Sequence, residues 1–394
     1  MRNLILFSFV LYLFTFAACC TKTVNNDDIF TINLSKKYVH REIHFQDIAN
    51  IEYIPLETTD DVLLGQVSFV SHISDSYILV YDMTRGDIFI FNRNGKIISH
   101  FNRTGQGGEE YTRIGGAGVI FDEKNEEIFV GTNLTNRILV YSVNGEYKRT
   151  LKYSTDLAIW EAYNFDDETL LVYHEFLSSH GEKNIEKPYM LMSKKDGSIV
   201  SVFDINLSVR YLKRVAIDLG NNMFTSVSIS TPNNRFYGHQ DFVVADISSD
   251  TIYRLTKNRN LTPWLVRKPS VHSSEPRKVW STPLTTDKFI ILYTTELDYV
   301  AAEKGSSIPF KTLMYEFETG EISEVSLIFD DFAMREWPLV SFVPDIPKNM
   351  SAYLFSAPSI ISAYKANNLK GDLKKLASTL DEDDNHVLVI VKFK

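Results

Sequence analysis

The chain has 394 residues, of which 44% are hydrophobic and 23% charged, an ordinary balance for a globular protein with a buried core. The formal net charge of −9 leaves no surplus of Lys and Arg to neutralise phosphates, which excludes a general nucleic-acid binder. Aromatic residues make up 13% of the chain, which favours β-strands because flat rings pack well on a pleated surface.

The N-terminus has the pattern of a secretory signal. A single basic residue precedes the apolar run Leu4–Ala18, which is too short to cross a bilayer comfortably. Phe16–Cys19 resembles a bacterial lipobox, where cleavage leaves a cysteine that carries lipid. We therefore expect residues 1–18 to be a lipoprotein signal peptide, Cys19 to be lipidated, and residues 19–28 to be a flexible tether. The alternative is an ordinary signal peptide cleaved at the same place, with the cysteine incidental.

Cysteine usage supports an exported protein. Cys19 and Cys20 are the two cysteines of the chain, so the body that follows has no disulfide framework and no thiolate metal site. We expect a protein anchored by lipid to the bacterial membrane, specifically the outer membrane, with its periplasmic or surface side left open.

A repeat of 50 residues organises the next part of the chain. YILVYDMTRGDIFIFNRNGKIISHF (Tyr77–Phe101) aligns without a gap with EIFVGTNLTNRILVYSVNGEYKRTL (Glu127–Leu151). Each copy predicts three short strands, with an Asn-Gly turn of the kind that favours two-residue hairpins before the third. One further strand per unit gives a four-stranded antiparallel meander, which is the blade of a β-propeller.

Weaker copies extend the repeat to the C-terminus. Hairpin turns are predicted at Asn94-Gly95, Asn144-Gly145, Asp196-Gly197, near residue 258 and at Thr319-Gly320. Residues 342–394, completed by N-terminal strands, leave room for one more unit. The sequence therefore predicts an all-β, six-bladed β-propeller with four-stranded antiparallel blades, forming a single domain over residues 29–394.

The two ends of this domain are expected to close the ring. His386–Lys394 is almost continuously apolar, as in a strand covered on both faces, and Ile51–Glu57 is its expected partner. One short C-terminal helix is predicted just before the last strand from an apolar stripe that we interpret as packing, Leu369, Leu373, Leu376 and Leu380.

Four segments resemble the six-bladed β-propeller lipoproteins of bacterial cell envelopes, which are related in blade style to NHL-repeat propellers. They are IEYIPLETTDDVLLG (Ile51–Gly65), the connector GQGGEEY (Gly105–Tyr111) with the DEKNEEIFV that follows it, the segment Asp330–Pro338, and LDEDDNHVLVIVKFK (Leu380–Lys394). The family usually has proline where Gly108 and His386 stand here. Its biochemical role is largely unassigned, so the resemblance implies architecture and location rather than chemistry.

The glycine-rich segment RTGQGGEEY (Arg103–Tyr111) raises the question of a phosphate site. It lacks the Lys of a Walker loop, and Glu110 stands where a dinucleotide loop would have its third glycine. A strand rather than a helix is predicted to follow, so no helix N-terminus awaits an anion. We interpret the segment as a connector between blades, in which glycine supplies permissive backbone angles.

Other motifs of catalysis are absent or weak. No nucleophile motif occurs, and the sequence predicts no catalytic residue, no metal site and no cofactor. His40 and His44 could bind a metal, and Asp381–Asn385 could bind calcium through clustered oxygens. We prefer to interpret the segment with His40 and His44 as part of a strand, and Asp381–Asn385 as a solvated acidic turn.

Aromatic residues near charges give the ligand-binding candidates, although burial in the core is the alternative for each tryptophan. The segment Thr262–Pro283 contains four prolines and is predicted to be an irregular insertion over one end of the disc, carrying a local basic patch. The candidate ligand-binding residues are Trp160, Glu161, Trp264, Arg267, His272, Arg277, Trp280 and Trp337.

Two functions fit this sequence. The favoured one is a non-catalytic module that binds a glycan, a peptide or an envelope protein at one mouth of the central channel, with the membrane as a partner through the lipid. The alternative is an enzyme, a lyase or hydrolase acting on glycans or peptides at the same mouth, because propellers host such chemistry.

Overall fold

The structure is a computed structural model that describes residues 29–394, apart from residues 133–134, 176–181, 184–186, 206, 208, 212–213, 221–222, 229–240, 305–309, 334 and 337–342. The strands are β1 Phe30–Asn33, β2 His40–His44, β3 Ala49–Pro55, β4 Ser68–Ile73, β5 Tyr77–Asp82, β6 Asp87–Asn92, β7 Ile97–Asn102, β8 Ile114–Asp122, β9 Glu127–Thr132, β10 Arg137–Ser142, β11 Tyr147–Lys152, β12 Ile159–Asn164, β13 Thr169–His174, β14 Glu182–Lys183, β15 Tyr189–Ser193, β16 Ile199–Val202, β17 Arg210–Tyr211, β18 Arg214–Gly220, β19 Met223–Ser228, β20 Asp241–Val244, β21 Thr251–Thr256, β22 Leu261–Lys268, β23 Lys278–Thr285, β24 Phe289–Glu296, β25 Phe310–Glu316, β26 Ile322–Phe329, β27 Arg335–Glu336, β28 Met350–Phe355 and β29 Val387–Phe393. The helices are α1 Phe45–Ile48, α2 Tyr299–Glu303, α3 Ala357–Lys365 and α4 Gly371–Ala377.

The strands form the six antiparallel blades of a propeller, as the sequence predicts. Blade 1 is β4–β7, blade 2 is β8–β11, and blade 3 is β12, β13, β15 and β16. Blade 4 contains β20–β22, blade 5 contains β23–β26, and blade 6 contains β28, β29 and β3. The first three blades have the predicted four strands. Apolar residues fill the spaces between neighbouring blades, so the core is a set of layers around the ring.

The N-terminal segment contributes one strand to each of blades 4, 5 and 6. Strand β1 adds in parallel to the outer edge of β22 in blade 4, and β2 adds in parallel to β26 in blade 5. The chain then enters blade 6 as β3. These added strands cover edges that would otherwise expose unpaired backbone groups.

Ring closure is confirmed. Strand β29 pairs antiparallel with β3, from Val387 opposite Pro55 to Phe393 opposite Ala49, and with β28 on its other side. Its residues are almost all buried, which explains the unbroken apolar run at the end of the chain.

All five predicted hairpin turns are found, between β6 and β7, β10 and β11, β15 and β16, β21 and β22, and β25 and β26. The predicted two-residue geometry is wrong, however. In the first turn only Gly95 has a positive φ, the N–H of Gly95 donates to the carbonyl of Asn92, and the N–H of Asn92 donates to the carbonyl of Lys96. This is a three-residue loop with a glycine bulge, so glycine is needed at one position and asparagine keeps an ordinary backbone.

The interpretation of Thr262–Pro283 as an irregular insertion is also wrong. Strands β22 and β23 run through most of it, and residues 269–277 alone form the connection. Pro283 lies within the register shift of β23 against β24, and Pro263, which pairs with Tyr253, lies next to the register shift between β21 and β22. The other two prolines, Pro269 and Pro276, lie in the connection, so proline marked both irregular strands and a short loop.

The C-terminal helical region is larger than predicted. Four helices lie among the described residues, and both α3 and α4 precede β29. Helix α3 begins at an N-cap, Ser356, whose hydroxyl accepts from the N–H of Ser359, and it has Pro358 in its first turn. The predicted leucine stripe packs against the core of blade 6, which confirms its structural role.

The connector Arg103–Tyr111 closes on itself. Tyr111 is buried, its hydroxyl donates to the carbonyl of Gly86 at 2.7 Å, and it accepts from the N–H of Arg103 at 2.9 Å. The Glu110 carboxylate accepts from the N–H of Gly107, so it occupies the place where a bound anion would meet the loop. This geometry supports the connector interpretation and gives the Glu110 carboxylate a role inside the loop.

Tyr111→Phe should lower the free energy of unfolding by about 1–2 kcal/mol, because the buried carbonyl of Gly86 loses its donor. Urea denaturation of both proteins measures this change. The control is Tyr364→Phe on the surface of α3, which should cost less than about 0.5 kcal/mol. Equal effects of the two substitutions would show that the connector hydrogen bond adds no stability.

Candidate functional site

The inner strand of blade 2, β8, contacts the inner strands of blades 1 and 3, which are β4 and β12. An open cavity of about 200 Å³ lies between them. Its lining residues are Phe69, Tyr81, Met83, Gly116, Ala117, Gly118, Val119, Trp160, Glu161, Ala162, Tyr163 and Pro344. We call this space the channel cavity.

One wall of the channel cavity is a wide bulge in β8. The register of β8 against β9 shifts between Ile114 and Val119, and both Gly116 and Gly118 have positive φ. A Cβ at position 116 would lie 2.6 Å from the carbonyl oxygen of Ile159. Gly116 and Gly118 therefore let the backbone of blade 2 approach blade 3 and add no side chains to this wall.

The other described lining residues include aromatic rings and one carboxylate, Glu161. Glu161 is 7% exposed, and the hydroxyl of Tyr163 donates to its Oε2 at 2.8 Å. The rings of Phe69 and Tyr81 lie 5.7 Å apart. Burial raises the pKa of Tyr81 to about 12, so its phenol stays protonated and neutral at physiological pH.

A second open cavity of about 220 Å³ lies between blades 6 and 1 and shares Phe69 with the first. His386 lines it, and burial lowers the pKa of this histidine. The imidazole is therefore neutral at pH 7, in the position where the resembling family usually has proline.

A buried polar network connects blades 3 and 4. Arg210 is 1% exposed, its guanidinium lies 5.0 Å from the centre of the Tyr173 ring, and its Nε lies 3.5 Å from Oδ2 of Asp246. The hydroxyl of Tyr173 is close to both Glu175 and Asp246. Buried charges of this kind persist because each is paired.

Three blades meet at a buried histidine further along β4. His72 Nδ1 lies 2.7 Å from Oδ2 of Asp345, and its Nε2 lies 3.1 Å from Oε2 of Glu123 in blade 2. Burial alone would lower the pKa of His72, but the two carboxylates outweigh it and raise the pKa to about 9. His72 is therefore a cation that links blade 1 to blade 2 and to residues 343–346.

The structure brings together some of the sequence candidates. Trp160 and Glu161 both line the channel cavity. His272 and Arg277 meet at Tyr211, with His272 Nδ1 3.2 Å from its hydroxyl and the Arg277 guanidinium 4.6 Å from the centre of its ring. These last two residues belong to the connection between blades 4 and 5, not to the channel cavity.

Three candidates lie in the interior instead. Trp264 and Trp280 are buried in the apolar layer between blades 4 and 5, and the Trp280 indole donates to the carbonyl of Ser249. Arg267 is 2% exposed and donates to the carbonyls of Pro269 and Lys278. The two indole rings therefore contribute to packing, and the Arg267 guanidinium binds backbone carbonyls. Trp337 and Cys19 lie outside the described residues.

The weaker metal candidates do not form ligand sets. His44 pairs with Asp330 at 2.7 Å, while Asn385 bonds the backbone of Glu57, Val62 and Leu64. Across the described part of the chain, no three His, Cys, Asp or Glu side chains converge as metal ligands. Within the same residues, no helix is long and apolar enough to span a membrane.

Comparison with known proteins places this propeller in a family. Residues 29–392 match the model described as "Domain of unknown function (DUF4934)". The chain belongs to this family. No curated protein sequence matches it.

Several solved structures are similar to this DUF4934 protein. A "Putative exported protein" from Bacteroides fragilis has 12% identity and a TM-score of 0.62, over 93% of this chain and 100% of that one. A member of the DUF4221 family from Bacteroides vulgatus has 11% identity and a TM-score of 0.47, over 88% and 97%. Virginiamycin B lyase from Staphylococcus aureus has 13% identity and a TM-score of 0.31, over 70% and 88%. At 12% identity, the similarity to the Bacteroides fragilis protein shows a shared fold and nothing more.

Several residues of the DUF4934 site escape sequence reasoning. Phe69, Tyr81 and His72 stand in ordinary strand patterns of blade 1, where an apolar or aromatic residue predicts packing. Glu123 and Asp345 resemble solvated turn residues. No local motif marks them, because they meet only when three blades are placed around one channel.

Proposed function

We propose that this protein is an exported, lipid-anchored propeller that binds a glycan or a peptide without chemical conversion, with the channel cavity as its site. The observation that carries the proposal is the cavity itself, where Trp160 and Glu161 stand beside Phe69, Tyr81 and Tyr163. Open, largely apolar spaces with a few convergent polar groups are the usual form of ligand sites.

The state of His72 favours binding over acid–base catalysis at this histidine. Both of its ring nitrogens are engaged by carboxylates, and the side chain is 6% exposed. A general acid or base must reach the proton that it transfers. A buried imidazolium with two partners is better suited to holding three blades together.

The binding proposal predicts that protein lacking residues 1–20 captures a ligand from glycan or peptide arrays. Trp160→Ala should then weaken the affinity for that ligand at least about tenfold, because a large ring is lost from the cavity wall. Titration calorimetry measures the change, with the exposed Tyr364→Ala as the matched aromatic control. An array ligand whose affinity is equal for both variants would place its site elsewhere.

Anchoring has its own prediction, because the lipobox pattern at the N-terminus assigns the lipid to one of two adjacent cysteines. Cys19→Ala should move the expressed protein from the membrane fraction to the soluble fraction, whereas Cys20→Ala should leave it membrane-bound. Fractionation followed by immunoblotting distinguishes them. Membrane retention of the Cys19→Ala protein would overturn the lipid anchor at this residue.

A further inference from the structure

We infer that the ligand is a linear, neutral oligosaccharide that lies in a row of three adjoining cavities, with the side chains of Gln66 and His386 as hydrogen-bonding partners. This inference rests on the proposed function and narrows it, since it selects a glycan over a peptide and assigns further contacts outside the channel cavity.

A third open cavity, of about 420 Å³, lies beside the cavity between blades 6 and 1. Gln66 and His386 line both of these spaces, and Phe69 lines both the cavity between blades 6 and 1 and the channel cavity. The three cavities therefore adjoin in a row that runs from the acidic turn at Asp383–Asn385 to the channel. We call this row the groove.

The volumes of the three cavities favour a ligand made of several units. The channel cavity and its neighbour hold about 200 and 220 Å³, below the roughly 300–1,000 Å³ of sites for drug-sized molecules, whereas the three spaces together fall within that range. A compact ligand would fill one cavity and leave the others to water. A linear chain fills the whole groove, with different units in different cavities.

One segment of the chain, Leu63–Phe69, lines the groove from its outer end to the channel. Hydrogen bonds hold its backbone in place. The N–H of Leu64 donates to Oδ1 of Asn385 at 2.7 Å, and the N–H of Met83 donates to the carbonyl of Val67 at 3.1 Å. This wall is ordered before a ligand arrives, so binding loses less conformational entropy.

The junction of the two outer cavities carries hydrogen-bonding groups that the fold itself does not use. Gln66 is exposed and His386 is partly buried, and within the described part of the chain neither side chain hydrogen-bonds to another residue. Burial lowers the pKa of His386, so its imidazole is neutral and has one donating and one accepting nitrogen. The Gln66 amide likewise has donors and an acceptor, so a ligand here meets both kinds of group.

Sugar hydroxyls match this junction better than a peptide backbone does. A hydroxyl donates and accepts at the same oxygen, so it pairs with an imidazole or an amide in either orientation. A peptide presents its donors and acceptors on separate atoms at fixed spacings, which fit a single register. The carboxylates of Asp383 and Asp384 line the outer cavity, accept from hydroxyls and repel the charges of an acidic glycan. These groups select a neutral oligosaccharide.

Calorimetry with protein lacking residues 1–20 tests the ligand class. The probes are neutral glucose, mannose and xylose oligomers from monosaccharide to hexamer, an acidic oligogalacturonate and a set of linear hexapeptides. A neutral hexamer should bind at least about tenfold more tightly than its monosaccharide, because it occupies more than one cavity. Equal affinities of monosaccharide and hexamer would overturn the groove. Tighter binding of the oligogalacturonate or a hexapeptide, or no binding by any neutral sugar, would overturn the neutral glycan.

Variants at the junction test the two proposed contacts. Gln66→Leu and His386→Phe should each weaken hexamer binding about fivefold, because each removes hydrogen bonding to the ligand with little change in volume. His386→Gln keeps a donor and an acceptor and should retain most of the affinity. The matched controls Gln106→Leu and His40→Phe, at exposed residues outside the lining of the groove, should have no effect. Circular dichroism confirms that each variant is folded.

Comparison with Trp160→Ala separates this inference from the proposed function. A ligand that depends on Trp160 but not on Gln66 or His386 would refute the groove and leave the channel cavity as the binding site. A glycan that depends on Gln66 and His386 but not on Trp160 would lie in the two outer cavities and refute the channel cavity as the site. Binding that is independent of all three residues would refute both.

Discussion

Ile390→Asp should leave the protein unfolded, because it places a charge in the middle of the strand that closes the ring. Ile390 is fully buried in β29, opposite Ala352 of β28 on one side and Glu52 of β3 on the other. Burying an unpaired carboxylate costs several kcal/mol, which is comparable to the roughly 5–15 kcal/mol of stability of a whole domain. Urea denaturation followed by circular dichroism should show no cooperative transition.

The same strand supplies the control. Lys392 is partly exposed, and its Nζ lies 2.8 Å from Oε2 of Glu52. Lys392→Ala removes this surface ion pair and should cost at most about 1 kcal/mol. If Ile390→Asp unfolded at the same urea concentration as Lys392→Ala, strand β29 would not be what holds the ring closed.

The second large effect is a loss of stability at alkaline pH that depends on His72. Its folded-state pKa of about 9 lies above the ordinary value of 6.5, so the protonated form favours the folded state. The stabilisation is present in full below pH 6.5 and is lost as the pH rises through 9. A shift of this size corresponds to about 3 kcal/mol at most.

Urea denaturation at several pH values between 6 and 10 measures this dependence. Asp345→Asn removes the closer of the two carboxylates and should flatten the fall in stability across that range. His40→Gln, at an exposed histidine, should leave it unchanged. Identical pH dependence in all three proteins would show that His72 is not a charged link between blades.

The fold could be predicted because the blades of a propeller share one pattern of strands and turns, which the sequence repeats. Tyr77–Phe101 and Glu127–Leu151 carry the same strand and turn pattern, and each turn needs a glycine at one fixed place. Ring closure could also be predicted, since a strand that is buried on both faces has an unbroken apolar run. The prediction of an irregular insertion at Thr262–Pro283 was wrong because a strand can accommodate proline where its register shifts. Where the register shifts depends on the neighbouring strand, which the local sequence does not show.

The candidate site could be predicted only in part. Trp160 and Glu161 stood out as an aromatic beside a charge, but Trp264 and Trp280 have similar local settings and lie between blades. Whether a ring faces a channel or a neighbouring blade depends on the position of its strand within the blade. That position follows from contacts between distant parts of the chain, so a single sequence window does not contain it.

The N-terminal strands also limit the order in which the blades can be completed during folding. Strands β1, β2 and β3 pair with β22, β26 and β29, so the first part of the body to be synthesised has its partners in the last third of the chain. Contacts between such distant segments form late, because the entropy cost of closing a long loop must be met before the contacts can stabilise the fold. Blade 4 can be completed once β22 has been made and blade 5 once β26 has been made, whereas blade 6 reaches its final form only after synthesis has ended. The last residues to be made are the ones that lock the ring.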